Sequence, residues 1–129
     1  PSYIFKSIKK YINKKSKILM LGLTFKEDVK DIRNSKSAEL HNLLIKNKFL
    51  VDLYDPLASK VSSKKELNVK IVKPKNKYDC VIITVAHKEF RNFSMETILK
   101  LLNKPSLLVD IKNVWSKKKL PDYVKKWSL

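Results

Sequence analysis

The sequence predicts a small doubly wound α/β domain, and three observations predict it. Short apolar runs alternate with helical patterns along almost all of the 129 residues. One run, Tyr78–Val85, is apolar on both faces, as a strand in the middle of a parallel sheet should be. No repeat or low-complexity tract interrupts the alternation. Strands separated by helices imply right-handed crossovers, and hence a Rossmann-like, parallel five-stranded sheet of order 3-2-1-4-5 covered on both faces.

Each element follows from its own residues. Ser2–Asn13 places Tyr3, Ile4, Ile8, Tyr11 and Ile12 on one helical face and lysines on the other. Lys17–Leu23 reads as the first buried strand. Ser35 or Ser37 caps a helix running to about Asn47, with Ala38, Leu40, Leu43, Leu44 and Ile45 inward. Phe49–Tyr54 is the second strand, stopped by Asp55-Pro56 because proline cannot continue the ladder. Ser59–Leu67 reads as a short helix and Asn68–Val72 as a marginal third strand. Tyr78–Val85 is the fourth strand, and Ser94–Leu102 a helix broken by Pro105. Ser106–Ile111 is the fifth strand, and the tail Lys117–Trp127 a short helix or irregular segment that packs Tyr123 and Trp127.

Composition narrows the function. At 129 residues the chain can bury roughly two thirds of its unfolded surface, and 43% hydrophobic residues is normal for a globular protein. Its apolar runs fall far short of the roughly 20 residues a membrane helix needs. Cys80 is the only cysteine, so no disulfide forms within the chain, and its apolar neighbours make it a buried small hydrophobe. His41 and His87 lack metal-ligand spacing. A net charge of +17 invites a nucleic-acid or polyanion-binding reading. Against it, all but two of the 29 basic residues are lysines, spread over the whole length, and base readout favours arginine.

In such sheets ligands bind beyond the carboxyl ends of the strands, at the switch point. The loops Thr24–Asn34, Ala86–Arg91 and Lys112–Ser116 converge there. The first of them, with the preceding Gly22, holds the chain's one glycine and one of its two arginines. A single glycine excludes the G-x-G-x-x-G fingerprint and the P-loop. A nucleotide must therefore be gripped by side chains and ordinary backbone amides. Phe25 offers a flat apolar surface, Lys26 a mobile cation for a phosphate or a sugar carboxylate, and Arg33 a fork for a second anion. Asp28 and Asp31 orient those cations or hold the loop closed.

The run Gly22-Leu23-Thr24-Phe25-Lys26-Glu27-Asp28-Val29-Lys30-Asp31-Ile32-Arg33-Asn34-Ser35 closely resembles a motif of the UDP-glucose/GDP-mannose dehydrogenase family. That motif, G-L-x-F-K-x-x-x-x-D-x-R-x-S, opens the family's C-terminal, UDP-binding domain. Val51–Pro56, Thr84–Phe90 and Val109–Trp115 match further family motifs in the right order. The resemblance implies an NAD-dependent nucleotide-sugar 6-dehydrogenase, which oxidises a sugar C6 alcohol to a carboxylate with two NAD in succession. It implies that Phe25 and Lys26 contact the UDP-sugar and that Arg33 reaches NAD bound in another domain. Lys112 falls where some members carry a substrate-binding arginine; lysine keeps the charge and loses the bidentate fork. His87 either lines the same cleft or caps the strand end.

Cys80 does not match the family's catalytic cysteine, which lies in a glycine-rich segment ahead of this domain. The resemblance further implies partners within one protein: an N-terminal NAD-binding domain and a central dimerisation region, in a cytoplasmic homo-oligomer. Residues 1–16 then form a lead-in helix and residues 17–129 the UDP-sugar-binding domain. The start at Pro1 suggests an excised piece, expected to be inactive alone. The run Thr84–Phe90 resembles members acting on N-acetylated sugars for surface polysaccharide.

Overall fold

A computed structural model describes residues 1–128. In chain order the elements are α1 (Ser2–Ile8), β1 (Lys17–Leu21), α2 (Lys36–Lys46), β2 (Leu50–Tyr54) and α3 (Lys60–Leu67). There follow β3 (Tyr78–Ile83), α4 (Lys88–Arg91), α5 (Met95–Leu101), β4 (Leu102–Asp110) and β5 (Val124–Trp127). All strand pairs are parallel, and the sheet order is β2-β1-β3-β4-β5.

The alternation of side chains along each strand divides the interior into two cores. Ile18 and Met20 of β1 join Cys80 and Ile82 of β3, and meet Phe5 and Ile8 of α1 and Leu40 and Leu44 of α2. Leu19 and Leu21 face the other way with Val81 and Ile83, against Phe90, Ile98, Leu101 and Trp115. Both faces are therefore dry, and Ile18 to Leu21 are all fully buried. Each side chain of this size stabilises the fold by about 1.5–3 kcal/mol on burial. Cys80 packs as one of them, its thiol pKa pushed well up by burial and, secondarily, by Asp79.

Serines start the main helices. Ser35, Ser59 and Ser94 accept from Ala38, Ser62 and Thr97 N–H, each satisfying a donor the helix itself leaves open.

Several sequence expectations need correction. α1 ends at Ile8 and gives way to a turn, with Asn13 and Ser16 bonded to each other. The first strand stops at Leu21, because Gly22 turns the chain. The expected third strand is a single bridge, Leu53 to Ile71, on the outer edge of β2; it keeps the order 3-2-1-4-5 in miniature. The strand expected over Ser106–Ile111 begins at Leu102, because Pro105 sits inside an irregular stretch of β4 and does not separate helix from strand. The tail is a strand: β5 adds to β4 from Ser106↔Val124 to Val109↔Trp127.

Parallel pairing sends every strand's carboxyl end to one side of the domain. There lie the loops after β1, β2, β3 and β4, and the side chains that tie them together.

Candidate functional site

The site is built on a close approach of two strand exits. Gly22 N–H donates to the Tyr54 carbonyl (2.9 Å), and its φ is +114°. A Cβ added there would lie 2.7 Å from Val85 Cβ and 2.9 Å from Val85 N, so only glycine fits. The Thr84 hydroxyl donates to the Gly22 carbonyl (3.0 Å) and accepts from Ser37 Oγ (2.7 Å). Ser35 Oγ donates to the Leu23 carbonyl (2.6 Å) while it caps α2.

At the centre stands Asp55, 2% exposed. Its Oδ2 accepts from Leu23 N–H (2.6 Å), Thr24 N–H (3.0 Å) and His87 Nε2 (2.9 Å), and its Oδ1 from Leu57 N–H (2.8 Å). Burial opposes its ionisation more than any other single influence. The His87 bond and the three backbone donors together still hold its carboxyl below the ordinary value.

The tautomer of the fully buried His87 follows from its partners. Nδ1 accepts from Asp28 N–H (2.9 Å), so it carries no proton. Nε2 carries the hydrogen and donates toward Asp55, with Thr24 Oγ1 also within 3.0 Å. Thr24 Oγ1 in turn donates to the Lys26 carbonyl. One neutral imidazole thus joins the loops after β1, β2 and β3.

Asp28 adds a second clamp from a left-handed backbone (φ +59°). Its Oδ1 accepts from Lys88 N–H (2.8 Å) and its Oδ2 from Arg91 Nη2 (3.3 Å). Those bonds, the Lys88 amide foremost, lower its pKa. Asp31 closes the loop through its carbonyl, which accepts from Phe25 N–H (2.6 Å). Its carboxylate takes the Arg33 fork at both oxygens (3.0 and 2.8 Å), which lowers its pKa to about 2. Arg33 is presented in one orientation with its side chain 84% exposed. In the loop after β4, Asp110 accepts from Val114 N–H (2.8 Å) and Trp115 N–H (2.7 Å), and the indole N–H of Trp115 donates to the Phe90 carbonyl.

The four sequence-derived site residues separate into two groups and an outlier. Phe25 and Lys112 line one cleft of about 180 Å³, together with Thr24, Ser37, Thr84 and Val85. Arg33 lines another, of about 510 Å³, with Asp31, Pro56, Ser59 and Glu66. Lys26 lines neither; it lies exposed on the loop beside Phe25. His87 is the strand-end brace of its two readings and lines neither cleft. Asp55, read from sequence only as a strand stop, and Thr24 complete the brace. The signal available was positional: Asp55 directly follows β2, and His87 lies in the short loop after β3. No described helix is long and apolar enough to cross a membrane.

Comparison with known proteins places these features in a family. Residues 19–117 match the UDP binding domain of the UDP-glucose/GDP-mannose dehydrogenase family. The chain is 35% identical over 99 residues to UDP-N-acetyl-D-glucosamine 6-dehydrogenase of Pseudomonas aeruginosa, covering 75% of this chain and 24% of that protein. It is 32% identical over 114 residues to UDP-N-acetyl-D-mannosamine dehydrogenase of Methanococcus aeolicus, covering 87% of this chain and 25% of that one. A solved structure of the UDP-N-acetyl-mannosamine dehydrogenase of Staphylococcus aureus superposes with a TM-score of 0.72 at 28% identity, over 99% of this chain and 29% of that chain. The chain thus spans about a quarter of the length of the curated relatives it matches.

Proposed function

We propose, for a chain that belongs to the UDP-glucose/GDP-mannose dehydrogenase family through its UDP binding domain, that it supplies the nucleotide-sugar half of an NAD-dependent UDP-sugar 6-dehydrogenase. The observation that carries this reading is the cleft at the carboxyl end of the sheet. It brings Phe25 and Lys112 together from opposite ends of the sequence. The Phe25 ring, 55% exposed, offers its face to the ligand, and the Lys112 ammonium meets an anionic group. Lys26, on the same loop, meets a second phosphate oxygen or the sugar.

NAD does not fit the usual dinucleotide position of this sheet. The Leu23 and Thr24 N–H groups, which a pyrophosphate would need, already donate to Asp55. The reading therefore assigns NAD to another domain of the same protein, with Arg33 reaching toward it across the second cleft. When present, NAD takes hydride from the sugar C6. What this chain contributes is binding and orientation, and the catalytic cysteine is assigned to the preceding region. We place the complete enzyme in the cytoplasm as a homo-oligomer, acting on an N-acetylated UDP-sugar for surface polysaccharide. The polyanion-module reading gains nothing from the family match.

The test is twofold. A UDP-sugar titrated into the 129-residue chain should shift the amide signals of Phe25, Lys26 and Lys112, while the chain alone reduces no NAD. In the complete enzyme, Lys26→Ala should raise the substrate KM about tenfold, the scale of one lost charged hydrogen bond. Turnover by the chain alone, or an unchanged KM and kcat in the variant, overturns the proposal.

A further inference from the structure

A third cleft, with the makings of a ligand site, lies at the other end of the sheet, and the case for it does not depend on the proposed function. It measures about 440 Å³, within the range of small-molecule sites. Its wall is the irregular start of β4. Tyr78 pairs with Leu102 and Cys80 with Leu107, so Asn103–Ser106 stand out from the ladder. The turn between α1 and β1 faces that wall, and β5 closes the side.

Three lysines line this one cleft, Lys15, Lys104 and Lys125, brought together from across the sequence. The ion pairs among the described residues include none of them. The one carboxylate among the lining residues, Asp79, pairs with no lysine ammonium: Oδ2 accepts from Lys17 N–H (2.9 Å) and Oδ1 from Asn103 Nδ2 (2.9 Å). Two of the ammonium groups rest on aromatic faces. Lys125 Nζ lies 4.3 Å from the Tyr11 ring centroid and Lys104 Nζ 5.2 Å from that of Tyr123. Such contacts hold a cation in place without neutralising it. Ser106, also on the wall and only 7% exposed, has a buried hydroxyl without a hydrogen-bond partner among the described residues. An unmet donor beside three unneutralised cations is the chemistry of an anion site.

We propose that this cleft binds a small phosphorylated molecule, its phosphate held among Lys15, Lys104 and Lys125 with Ser106 as a donor. Tyr11, 46% exposed on the rim, packs against the body of the ligand. A cleft of this size suits a small molecule.

Inorganic pyrophosphate is the probe, titrated into the isotope-labelled 129-residue chain at about 0.15 M salt, where long-range surface attraction is screened. Saturable amide shifts are expected at Lys15, Lys104, Ser106 and Lys125. Lys104→Gln with Lys125→Gln should weaken the affinity about tenfold or more, and Ser106→Ala about threefold. The same spectra report that each variant is folded. Shifts that do not saturate, or an affinity unchanged in the double variant, overturn the proposal. So does a short DNA duplex that shifts these amides where pyrophosphate does not. Shifts confined to Phe25, Lys26 and Lys112 would overturn it too, while leaving the proposed function standing.

Discussion

The two ends of the sheet solve the same problem in different ways. At the carboxyl end, Asp28, Asp31, Asp55 and Asp110 are all consumed in holding loops, each accepting from backbone N–H groups or an arginine. At the amino end, Asp52 and Asp79 do similar work with the Tyr78 hydroxyl and Lys17 N–H. Around them, however, lie lysines whose heads rest on aromatic rings or in solvent. Four acids therefore tie the loops of the carboxyl end, against two at the amino end, where lysines rest on aromatic faces. It follows that the carboxyl end should be brittle to single changes and the amino end tolerant.

The sharpest way to break this contrast is Asp55→Ala. It strips partners from three backbone N–H groups and an imidazole in a buried site, so about 3–5 kcal/mol of stability should go in urea unfolding. A loss below about 1 kcal/mol would end the comparison, since exposed amino-end lysines should themselves cost under about 0.5 kcal/mol when changed to glutamine. Gly22→Ala comes next. Strain and overlap with Val85 should cost about 2–3 kcal/mol, and Val85→Ala should restore only part, because Val85 N stays 2.9 Å from the new Cβ.

His87 separates bonding from bulk. His87→Ala should cost about 2 kcal/mol, whereas His87→Gln should recover most of it. A glutamine amide can accept from Asp28 N–H and donate to Asp55. The smallest effect is acid sensitivity. The folded Asp55 pKa lies below 3.8, so its stabilisation is complete above 3.8 and lost as pH falls through the folded value. His41, whose pKa burial lowers from 6.5, makes stability decline as pH drops below 6.5, where the unfolded chain binds the proton first. His41→Gln should flatten that upper segment of a stability-versus-pH curve and leave the lower one.

What the sequence revealed was whatever a local pattern determines. Ser35, one of the two expected candidates, caps α2, and Gly22 marks a backbone position closed to other residues. The Asp55–His87 bond stayed hidden because its partners belong to different strand exits and meet only when β2 and β3 flank β1. β5 escaped notice because its middle residues, Lys125 and Lys126, are exposed, and only Val124 is buried. Pro105 misled because proline breaks helices, yet inside an irregular stretch of β4 it removes no ladder bond. The lysines seemed scattered because they are scattered in sequence; three of them share a cleft only after the fold aligns the strands.

The pairing of β1 also sets a timetable. Its Ile18–Leu21 stretch meets Val51–Tyr54 on one side and Cys80–Ile83 on the other, so both partners arrive from far along the chain. Pairings of that separation put folding on a scale of roughly milliseconds to seconds, long after the helices can flicker into being. Until β3 docks, four apolar residues in a row present an unpaired edge to any neighbouring molecule. The strand that anchors the finished domain is, for that interval, its most adhesive surface.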